Sequence, residues 1–529
     1  MESEVKSATG RFPPKPASLM LAKGDLPVAP DAEASATVLT VPTTITNGGL
    51  VNRQDRFPNN LPSKLGIFLG QNGIAYAVMR DRGNPYALPV GSRQLGNAIR
   101  EIGQTEGITL RKAEVNDING VLQAHAEMAG VCKDVFFRVA PVAGGIEIDL
   151  GEENHIRARV TAGKVERVVQ SSTALFYRTQ GSRPMVVPAS VGNIDLLKKY
   201  LNMDAISATL FTAWLAYTLA HPKVPTSKFV ILVLQGNQGS GKTSLCNNII
   251  LPLIDPNHIG VQVLPGNAKD LAIAAQNAHV LCFDNVREFK QSIADTLCIA
   301  ATGGALTGRQ LYSDADQHVI RLHVALVLNG LHSFIDQPDL AQRCLPIQLR
   351  PISEGNRKSE EQLVREFEAD APAIMRGLLD LIAQVFVHLP TVEPDNPERM
   401  IDFARWLAAM EKAQGIPAGI YQTEYSQALN QGQLDSILEN PLAATMVDFA
   451  QRMSRSEWSG TPAELLGKLN EHADIGAQRS KQWPQNAIAL SKRLLPLQAS
   501  LQSQGIAVDL HRGKHRTITI KTERSNDEY

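Results

Sequence analysis

At 529 residues the chain is too long for one hydrophobic core, and its length favours roughly three or four domains. Its formal net charge of −1 excludes a protein that is basic over its whole surface, so a nucleic-acid partner would need a local basic patch. Five cysteines without a C-x-x-C pair argue against a disulfide framework and indicate buried thiols in a reducing cytoplasm. Acidic residues at the start, with no early apolar run, argue against a secretory signal.

Residues 1–60 are rich in Pro, Ala, Ser and Thr without a sustained period, which predicts a disordered tail. Residues 61–190 carry short apolar runs separated by Gly, Asn and Pro, which predicts an accessory α/β or α+β domain. The predicted strands cover residues 65–69, 135–139, 146–150 and 156–160.

Acidic residues cluster on and after the third of these runs. They could form a metal-binding edge of a primase-like site, but no matching histidine or second acidic strand accompanies them. We therefore interpret them as solvated strand and turn acids. They are Glu147, Asp149, Glu152 and Glu153.

Residues 191–225 are predicted to form a helical connector. Its apolar stretch, 206–220, is interrupted by Ser and Thr and is too short to span a bilayer. We interpret it as a core helix and expect no membrane partner.

A glycine-rich loop follows a continuous apolar run at 230–234, as expected after a buried parallel strand. The loop matches G-x-x-x-x-G-K-[ST], in which glycines let successive N–H groups turn inward around phosphates. Lys242 is expected to reach the β and γ phosphates, and Thr243 to offer its hydroxyl to Mg²⁺. The pattern predicts ATP and Mg²⁺ as cofactors, the alternative being a fortuitous glycine-rich turn. The predicted nucleotide-binding residues are Gly236, Asn237, Gln238, Gly239, Ser240, Gly241, Lys242, Thr243 and Ser244.

A second apolar run, 279–283, ends at Asp284, whose carboxylate would hold the Mg²⁺ together with Thr243. Hydrolysis also needs a group that orients the attacking water. The next residue, Asn285, can position water but cannot accept its proton. Glu288 could serve as the base, or turnover could be slow.

A third apolar run ends at Asn329, where a polar side chain would sense the γ-phosphate. The alternative is that Asn329 only starts the turn with Gly330. Further on, Arg343 could act on the γ-phosphate of a neighbouring subunit as an arginine finger. A salt-bridged surface arginine is the alternative.

Residues 353–440 are predicted to be helical, with Pro372 in the first turn of a helix. Residues 441–523 form a further unit, in which Thr461, Pro462 and Glu464 match an N-cap, a first-turn proline and a capping box. A hairpin is predicted for 506–509 and 517–520, and a tail for 524–529. Residues 477–521 contain eight Lys and Arg residues but only one acidic residue, which indicates a local basic surface.

The pattern T-G-G-x-x-x-x-R-x-L-Y lies at 302–312, between the second and third apolar runs. Together with the phosphate loop, Asp284-Asn285, Asn329 and Arg343, it resembles the AAA+ cores of superfamily 3-type helicases, including the phage and plasmid primase-helicase group. The resemblance covers about 226–352. The final unit resembles the winged helix that often follows such cores, whereas the segment before residue 200 shows no primase motif.

The resemblance implies a homo-oligomer, with a hexameric ring expected, and ATP at its subunit interfaces. It also implies a hairpin with a basic tip between the second and third strands, but here Asp314 and Asp316 flank the turn. In the final unit, basic residues at a hairpin tip suit phosphate contact, unless that unit docks a protein. The candidate DNA contacts are Arg309, His318 and Arg321 in the first hairpin and Arg512, Lys514 and Arg516 in the second.

The predicted fold class is therefore α/β, with a P-loop AAA+ core built on a parallel sheet, an accessory domain before it, and helices and a winged-helix-like unit after it. The predicted function is an ATP-dependent DNA helicase or translocase for replication of a phage, plasmid or integrated element. One alternative is an ATP-gated oligomeric switch, which Asn285 and the acidic hairpin favour. Another is a DNA-binding initiator or regulator without unwinding activity, and either could serve in phage defence. A phosphoryl-transfer kinase would leave the sensor strand and Arg343 without a purpose.

Overall fold

The computed structural model describes the chain from residue 64 to residue 522 with several gaps, and not the predicted tails. The predicted residues Glu288, Asp314, Asp316 and Lys514 lie outside the described residues. The described ranges are 64–79, 84–170, 172, 174–287, 289–309, 317–331, 335, 337–352, 358–395, 397–453, 456–480, 482–502, 504–512 and 516–522, without the side chains of 307–309, 317–319, 436, 499 and 512.

Two four-stranded sheets precede residue 190. The first has the order β3-β2-β1-β4, with only the β1–β4 pair parallel, and helices α1 and α2 bury their apolar faces in one core with it. The second, β5-β6-β7-β8, is an antiparallel meander. The elements are β1 Leu65–Gly70, β2 Ala75–Met79, β3 Ala87–Pro89, α1 Arg93–Thr105, α2 Lys112–Ala129, β4 Cys132–Lys133, β5 Val139–Val142, β6 Gly145–Asp149, β7 Arg157–Thr161 and β8 Lys164–Val168.

The predicted strand at 135–139 is wrong. In its place Phe136 makes only an isolated bridge with Phe176, and β5 begins at Val139. The physical reason lies in the backbone of Arg138, whose φ of 62° is left-handed and ends any extended run before it.

The interpretation of Glu147 and Asp149 as solvated acids is also wrong, because both side chains are buried and ion-paired. The register of β6 against β7 sets Arg159 opposite Glu147, with Nη2 2.5 Å from Oε1. Arg178 Nη2 lies 2.7 Å from Asp149 Oδ1. Burial alone would raise the pKa of Asp149, but the hydrogen bond and charge of Arg178 hold it below its usual range.

The apolar connector helix is fully integrated into the core, as predicted. This helix, α3 Ala205–Ala220, follows a 3₁₀ turn at Ile194–Tyr200 and buries almost all of its second half. Trp214 Nε1 donates to Val230 O at 2.8 Å and so fixes α3 against the strand that follows.

A parallel sheet with the order β10-β13-β9-β14 lies at the centre of the chain. Along β9, Leu232 and Leu234 pack in one core cluster and Ile231 and Val233 in another, so both faces of the sheet are covered. The β11–β12 hairpin is inserted before β13. The elements are β9 Ile231–Gln235, α4 Lys242–Leu245, a π-helical turn Cys246–Ile250, α5 Leu251–Ile254, α6 Ala268–Gln276, β10 Val280–Phe283, α7 Gln291–Thr302, β11 Gly304–Arg309, β12 Gln317–Leu322, β13 Ala325–Asn329, α8 Pro338–Ala341 and β14 Cys344–Gln348.

Strand β14 is the edge of this sheet beyond β9. The backbone groups of Arg343 and Leu349 bond to β9: Arg343 O accepts from Ile231 N, and Leu349 N donates to Gln235 O. Successive residues of a strand point their backbone groups to opposite sides, so the backbone of Pro346 points away from β9. A helix, α11 Ile420–Glu439, covers that outer side. Its Tyr425 hydroxyl lies 3.4 Å from Cys344 O.

A 29-residue helix, α9 Glu360–His388, follows the sheet, and the placement of Pro372 in a first turn is wrong. The helix begins instead after Ser359, whose hydroxyl accepts from Gln362 N at 3.2 Å, and Pro372 lies inside it. The segment Glu360–Thr391 is long and apolar enough to cross a membrane, but half of its apolar window is buried inside the protein, so this is weak evidence for a span. Helix α10 is Ile401–Gln414.

The final unit has its own core, in which three antiparallel strands of order β15-β17-β16 pack with helices. The predicted capping box is present: Thr461 Oγ1 accepts from Glu464 N, and Glu464 Oε2 accepts from Thr461 N at 2.7 Å. The predicted hairpin is the β16–β17 pair. The elements are α12 Pro441–Arg452, β15 Glu457–Gly460, α13 Pro462–His472, α14 Ile475–Arg479, α15 Ala487–Gln502, β16 Ile506–Arg512 and β17 Arg516–Thr522.

Candidate nucleotide-binding site

The glycine-rich loop connects β9 to α4, and three of its glycines take left-handed backbone conformations. The φ angles are 148° at Gly236, 79° at Gly239 and 88° at Gly241. A Cβ at Gly236 would lie 2.9 Å from both Leu349 O and Ser240 Oγ, so this position has no room for a side chain. The residues Asn237, Gln238 and Gly239 form the exposed rim of the loop. Glycine therefore permits both the turn and its close approach to the segment after β14.

Lys242 folds its side chain back under the loop. Its Nζ donates to Gly236 O at 2.6 Å and to Asn237 O at 3.1 Å, and lies 3.3 Å from Ser240 Oγ. The residue is only 8% exposed. Burial lowers the pKa of Lys242, and the negative charge of Asp284 partly opposes that shift. A positive charge is thus concentrated at the centre of the loop.

Three predicted side chains from distant parts of the sequence meet beside the loop. Thr243 Oγ1 donates to Asp284 Oδ2 at 2.8 Å, and Asn329 Nδ2 lies 3.4 Å from Thr243 Oγ1. They meet because β9, β10 and β13 are parallel and adjacent, so their carboxyl ends share one edge. Backbone bonds fix this edge, with Val286 N donating to Asn329 O at 2.9 Å.

Asn285 occupies the position after Asp284 in a left-handed conformation, with φ of 54°. Its backbone N–H donates to Asp284 Oδ1 at 2.7 Å, so the strained turn orients the carboxylate. Its side chain is exposed, and Asn285 Oδ1 lies 3.4 Å from Arg287 Nε. Among the described residues, no second carboxylate is hydrogen-bonded to Thr243 or Asp284.

Arg343 lies outside this cluster. It pairs with Asp339 of the same chain, Nη2 to Oδ2 at 3.3 Å, and Arg399 reaches the other oxygen of that carboxylate at 2.6 Å. The pair holds the turn between α8 and β14. A role of Arg343 towards a neighbouring subunit stays a prediction.

Asn202 supports the loop and was missed by the sequence reasoning. Its side-chain Nδ2 donates to Ser240 O at 3.2 Å and also to Arg350 O. The backbone oxygen of Asn202 accepts from Arg350 N at 2.9 Å. This side chain therefore joins the loop to the segment after β14. No local pattern marks Asn202, because it acts only through contacts with distant backbone.

The site offers hard oxygen ligands to a cation. They are Thr243 Oγ1 and the Asp284 carboxylate, and no group of three or more His, Cys, Asp or Glu residues suited to a metal occurs in the described part of the chain. Mg²⁺ is commonly held by one or two protein oxygens together with phosphates and water. The donor set fits that ion.

Two family models match the chain. Residues 194–431 match the actinomycete integrative conjugative element replication protein family, and residues 442–528 match the AICE RepA C-terminal domain. The two ranges together cover more than half of the chain. Over these two ranges the chain is similar to this replication protein family. No curated protein sequence matches it.

Solved structures match this replication protein only distantly. The apo structure of the NrS-1 C terminal region is 12% identical with a TM-score of 0.40, over 88% of this chain and 98% of that one. A crystal structure of JCV helicase is 15% identical with a TM-score of 0.20, over 44% of this chain and 67% of that one. At such scores the likeness supports no conclusion about chemistry.

The candidate DNA contacts of the replication protein fall at two hairpins. In the first, the backbone pairs Arg309 with Gln317 and Gly308 with His318, while the side chains of Arg309 and His318 lie outside the described residues. In the second, the backbone of Arg512 is opposite that of Arg516 at the end of the β16–β17 ladder, and Arg516 is exposed. Their contact with DNA stays a prediction.

Proposed function

We propose that this replication protein is an ATP-dependent motor that acts on DNA, as a ring-forming helicase or translocase, when its mobile element replicates. The convergence of Lys242, Thr243 and Asp284 at one edge of a parallel sheet carries the proposal. Lys242 has the positive charge that a triphosphate requires, and Thr243 and Asp284 have the oxygens that Mg²⁺ requires.

The residues divide the work as follows. The glycine loop leaves space for phosphate oxygens, and Lys242 places its ammonium group among them. Thr243 and Asp284 would hold Mg²⁺, and Asn329, which contacts Thr243, would sense the γ-phosphate. Bound ATP would supply the γ-phosphoryl group, to which water adds as the bond to the ADP leaving group breaks. Asn285 would orient that water, and the proton of the water would pass to solvent because an amide cannot accept it.

Assembly completes the proposed motor. Arg343 acts across a subunit interface of a homo-oligomer, in which its pair with Asp339 sets the orientation of the guanidinium group. The basic hairpin of the final unit holds the phosphates of DNA, with Arg516 exposed for that contact.

A second function, an ATP-gated oligomeric switch, is favoured by one observation. Asn285 stands where a proton-accepting carboxylate would speed hydrolysis, and its left-handed backbone is used to orient Asp284. In a switch, ATP binding orders the oligomer and slow hydrolysis resets it.

Steady-state ATP hydrolysis separates the two functions. Wild type, Lys242→Ala and the control Lys112→Ala are compared with and without single-stranded DNA over a salt series. A motor shows hydrolysis that DNA stimulates in a salt-sensitive manner, that Lys242→Ala removes and that Lys112→Ala keeps. Hydrolysis that is indifferent to DNA, or ATP binding without turnover, would refute the motor and favour the switch.

A further inference from the structure

A cleft of about 1090 Å³ lies between the two N-terminal sheets and the parallel sheet, away from the nucleotide loop. No residue of the loop, nor Asp284 or Asn329, lines it. Its walls come from several parts of the chain: the β1–β2 turn, the start of α1, residues 134–137, residues 177–181, residues 223–225, residues 257–262, the end of α6 and the root of the β11–β12 hairpin. The cleft is thus a separate site on the chain.

The lining of the cleft is rich in hydrogen-bonding and positively charged groups. Three cations, Arg93, Lys223 and Arg321, and two carboxylates, Asp134 and Asp270, line it. In the described part of the chain none of these cations forms an ion pair. Arg93 and Arg321 are exposed at its rim, whereas Lys223 lies deeper and donates to Ala275 O at 2.6 Å. Carboxamides recur in the lining, and such groups can both donate and accept.

Aromatic rings form part of the same wall. Phe136 and Tyr177 line the cleft and are half-buried, and the Tyr177 ring packs at 5.4 Å against Phe137. The Tyr177 hydroxyl donates to Gln276 O at 3.0 Å, which fixes the ring. Fixed aromatic rings beside cations are the combination that holds single-stranded nucleic acid.

His323 is a buried histidine in the lining of the cleft. It is 9% exposed and lines the cleft, and its Nε2 has no hydrogen-bond partner among the described residues. Burial lowers the pKa of His323 to about 3, so the imidazole is neutral at physiological pH.

We propose that this cleft binds a short stretch of single-stranded DNA, with bases against Phe136 and Tyr177 and phosphates at Arg93 and Arg321. Its volume exceeds the roughly 300–1000 Å³ that holds single small ligands, so more than one nucleotide fits. Since Arg321 belongs to β12, the bound strand lies against the root of the hairpin. The inference rests on the proposed action on DNA, but not on ATP hydrolysis.

Equilibrium binding of a fluorescent oligothymidine of about 12 nucleotides tests the cleft, with fluorescence anisotropy over a salt series. The double variant Arg93→Ala/Arg321→Ala should bind about tenfold more weakly at low salt. Its plot of log K against log salt should be shallower by about 1.4, because each lost phosphate contact on a single strand removes about 0.7. Equal affinity and slope in the variant and the wild type would overturn the proposal.

A matched control removes two exposed cations that do not line the cleft, in the variant Lys112→Ala/Arg167→Ala. It changes the net charge by the same amount and should keep the wild-type affinity and slope. A loss as large as that of the cleft variant would show that only overall charge matters and would refute the site.

Photo-crosslinking with an oligonucleotide that carries 5-iodouracil locates the bound strand. Crosslinks are expected in peptides with Phe136 or Tyr177; crosslinks confined to the final unit would refute the cleft. Thymidine monophosphate should not displace the oligonucleotide, and full displacement would mean a mononucleotide pocket instead. A wild type that binds DNA in the cleft without hydrolysing ATP would refute the motor alone, whereas hydrolysis without strand binding would refute the cleft.

Discussion

Arg138 Nε donates to Asp255 Oδ1 at 2.7 Å, and the two side chains are 2% and 1% exposed. Arg138 precedes β5 in the N-terminal part of the chain, and Asp255 ends the helix that starts at the nucleotide loop. The other oxygen of Asp255 accepts from His279 N at 2.6 Å, just before β10. This buried pair therefore joins the accessory sheet to both the loop helix and the strand that ends at Asp284.

Loss of Asp255 should destabilise the protein strongly. In Asp255→Ala the guanidinium group of Arg138 stays buried without its counter-charge, which should lower the free energy of unfolding by about 3–5 kcal/mol. Urea unfolding measures this change. The exposed pair of Arg452 and Asp448 is the control, and Arg452→Ala should cost less than about 1 kcal/mol. An equal loss of unfolding free energy in both variants would contradict the prediction that the buried pair contributes more than the exposed pair.

The loop glycines should differ in their tolerance of alanine. Gly236→Ala adds a Cβ that clashes with Leu349 O and Ser240 Oγ, in addition to backbone strain of about 1–3 kcal/mol. Gly239→Ala causes backbone strain but no steric clash, because nothing lies within 4 Å of its added Cβ. Titration with a fluorescent ATP analogue should show the larger loss of affinity for Gly236→Ala, at least about tenfold more than for Gly239→Ala. The reverse order would contradict the geometry.

The carboxylate of Asp284 should matter for Mg²⁺ more than for the loop itself. Asp284→Asn keeps an oxygen that can accept from Thr243 Oγ1, but it removes the charge that holds the metal. ATP hydrolysis should fall roughly 100-fold or more, with a higher Mg²⁺ requirement. The measurement is the rate of hydrolysis against Mg²⁺ concentration. Full activity at the same Mg²⁺ concentration would exclude Asp284 from the metal site.

Buried histidines should make the fold sensitive to acid. Burial lowers the pKa of His279 to about 3, and its Nε2 lies 3.0 Å from Thr218 O in the core. The unfolded chain protonates near pH 6.5 and the folded state only near pH 3, so this histidine's stabilisation is complete above about pH 6.5 and is lost as pH falls towards 3. The expected loss is about 1.4 kcal/mol per pH unit within that window.

Urea unfolding between pH 7.5 and 5 measures this slope. His279→Gln should flatten it, because glutamine takes up no proton in this range. A slope equal to that of the wild type would assign the acid sensitivity to other groups.

Sequence reasoning predicted the elements that local pattern determines. The apolar run before Gly236 and the runs that end at Asp284 and Asn329 are strands in the structure, and their parallel order brings Thr243, Asp284 and Asn329 together. Thr461 caps its helix as predicted, since a capping box involves only neighbouring residues.

Features made by tertiary contact were not predicted. The burial of Glu147 and Asp149 depends on arginines that the β6–β7 register and the chain near Arg178 bring to them. Asn202 carries no local signal. The start of α9 was misplaced, because Ser359 and Pro372 both resemble helix beginnings and only packing decides between them.

Pro346 has a consequence for how copies of this chain can assemble. An open edge strand normally invites another strand to pair with it, but here the outward backbone lacks an N–H at Pro346, and Tyr425 engages the carbonyl of Cys344. Strand addition from a neighbouring copy is therefore blocked on this side of the sheet. Copies that meet at this edge must therefore contact each other through helices and loops, whose contacts can slide or loosen, whereas a continuous intersubunit sheet would lock the copies together.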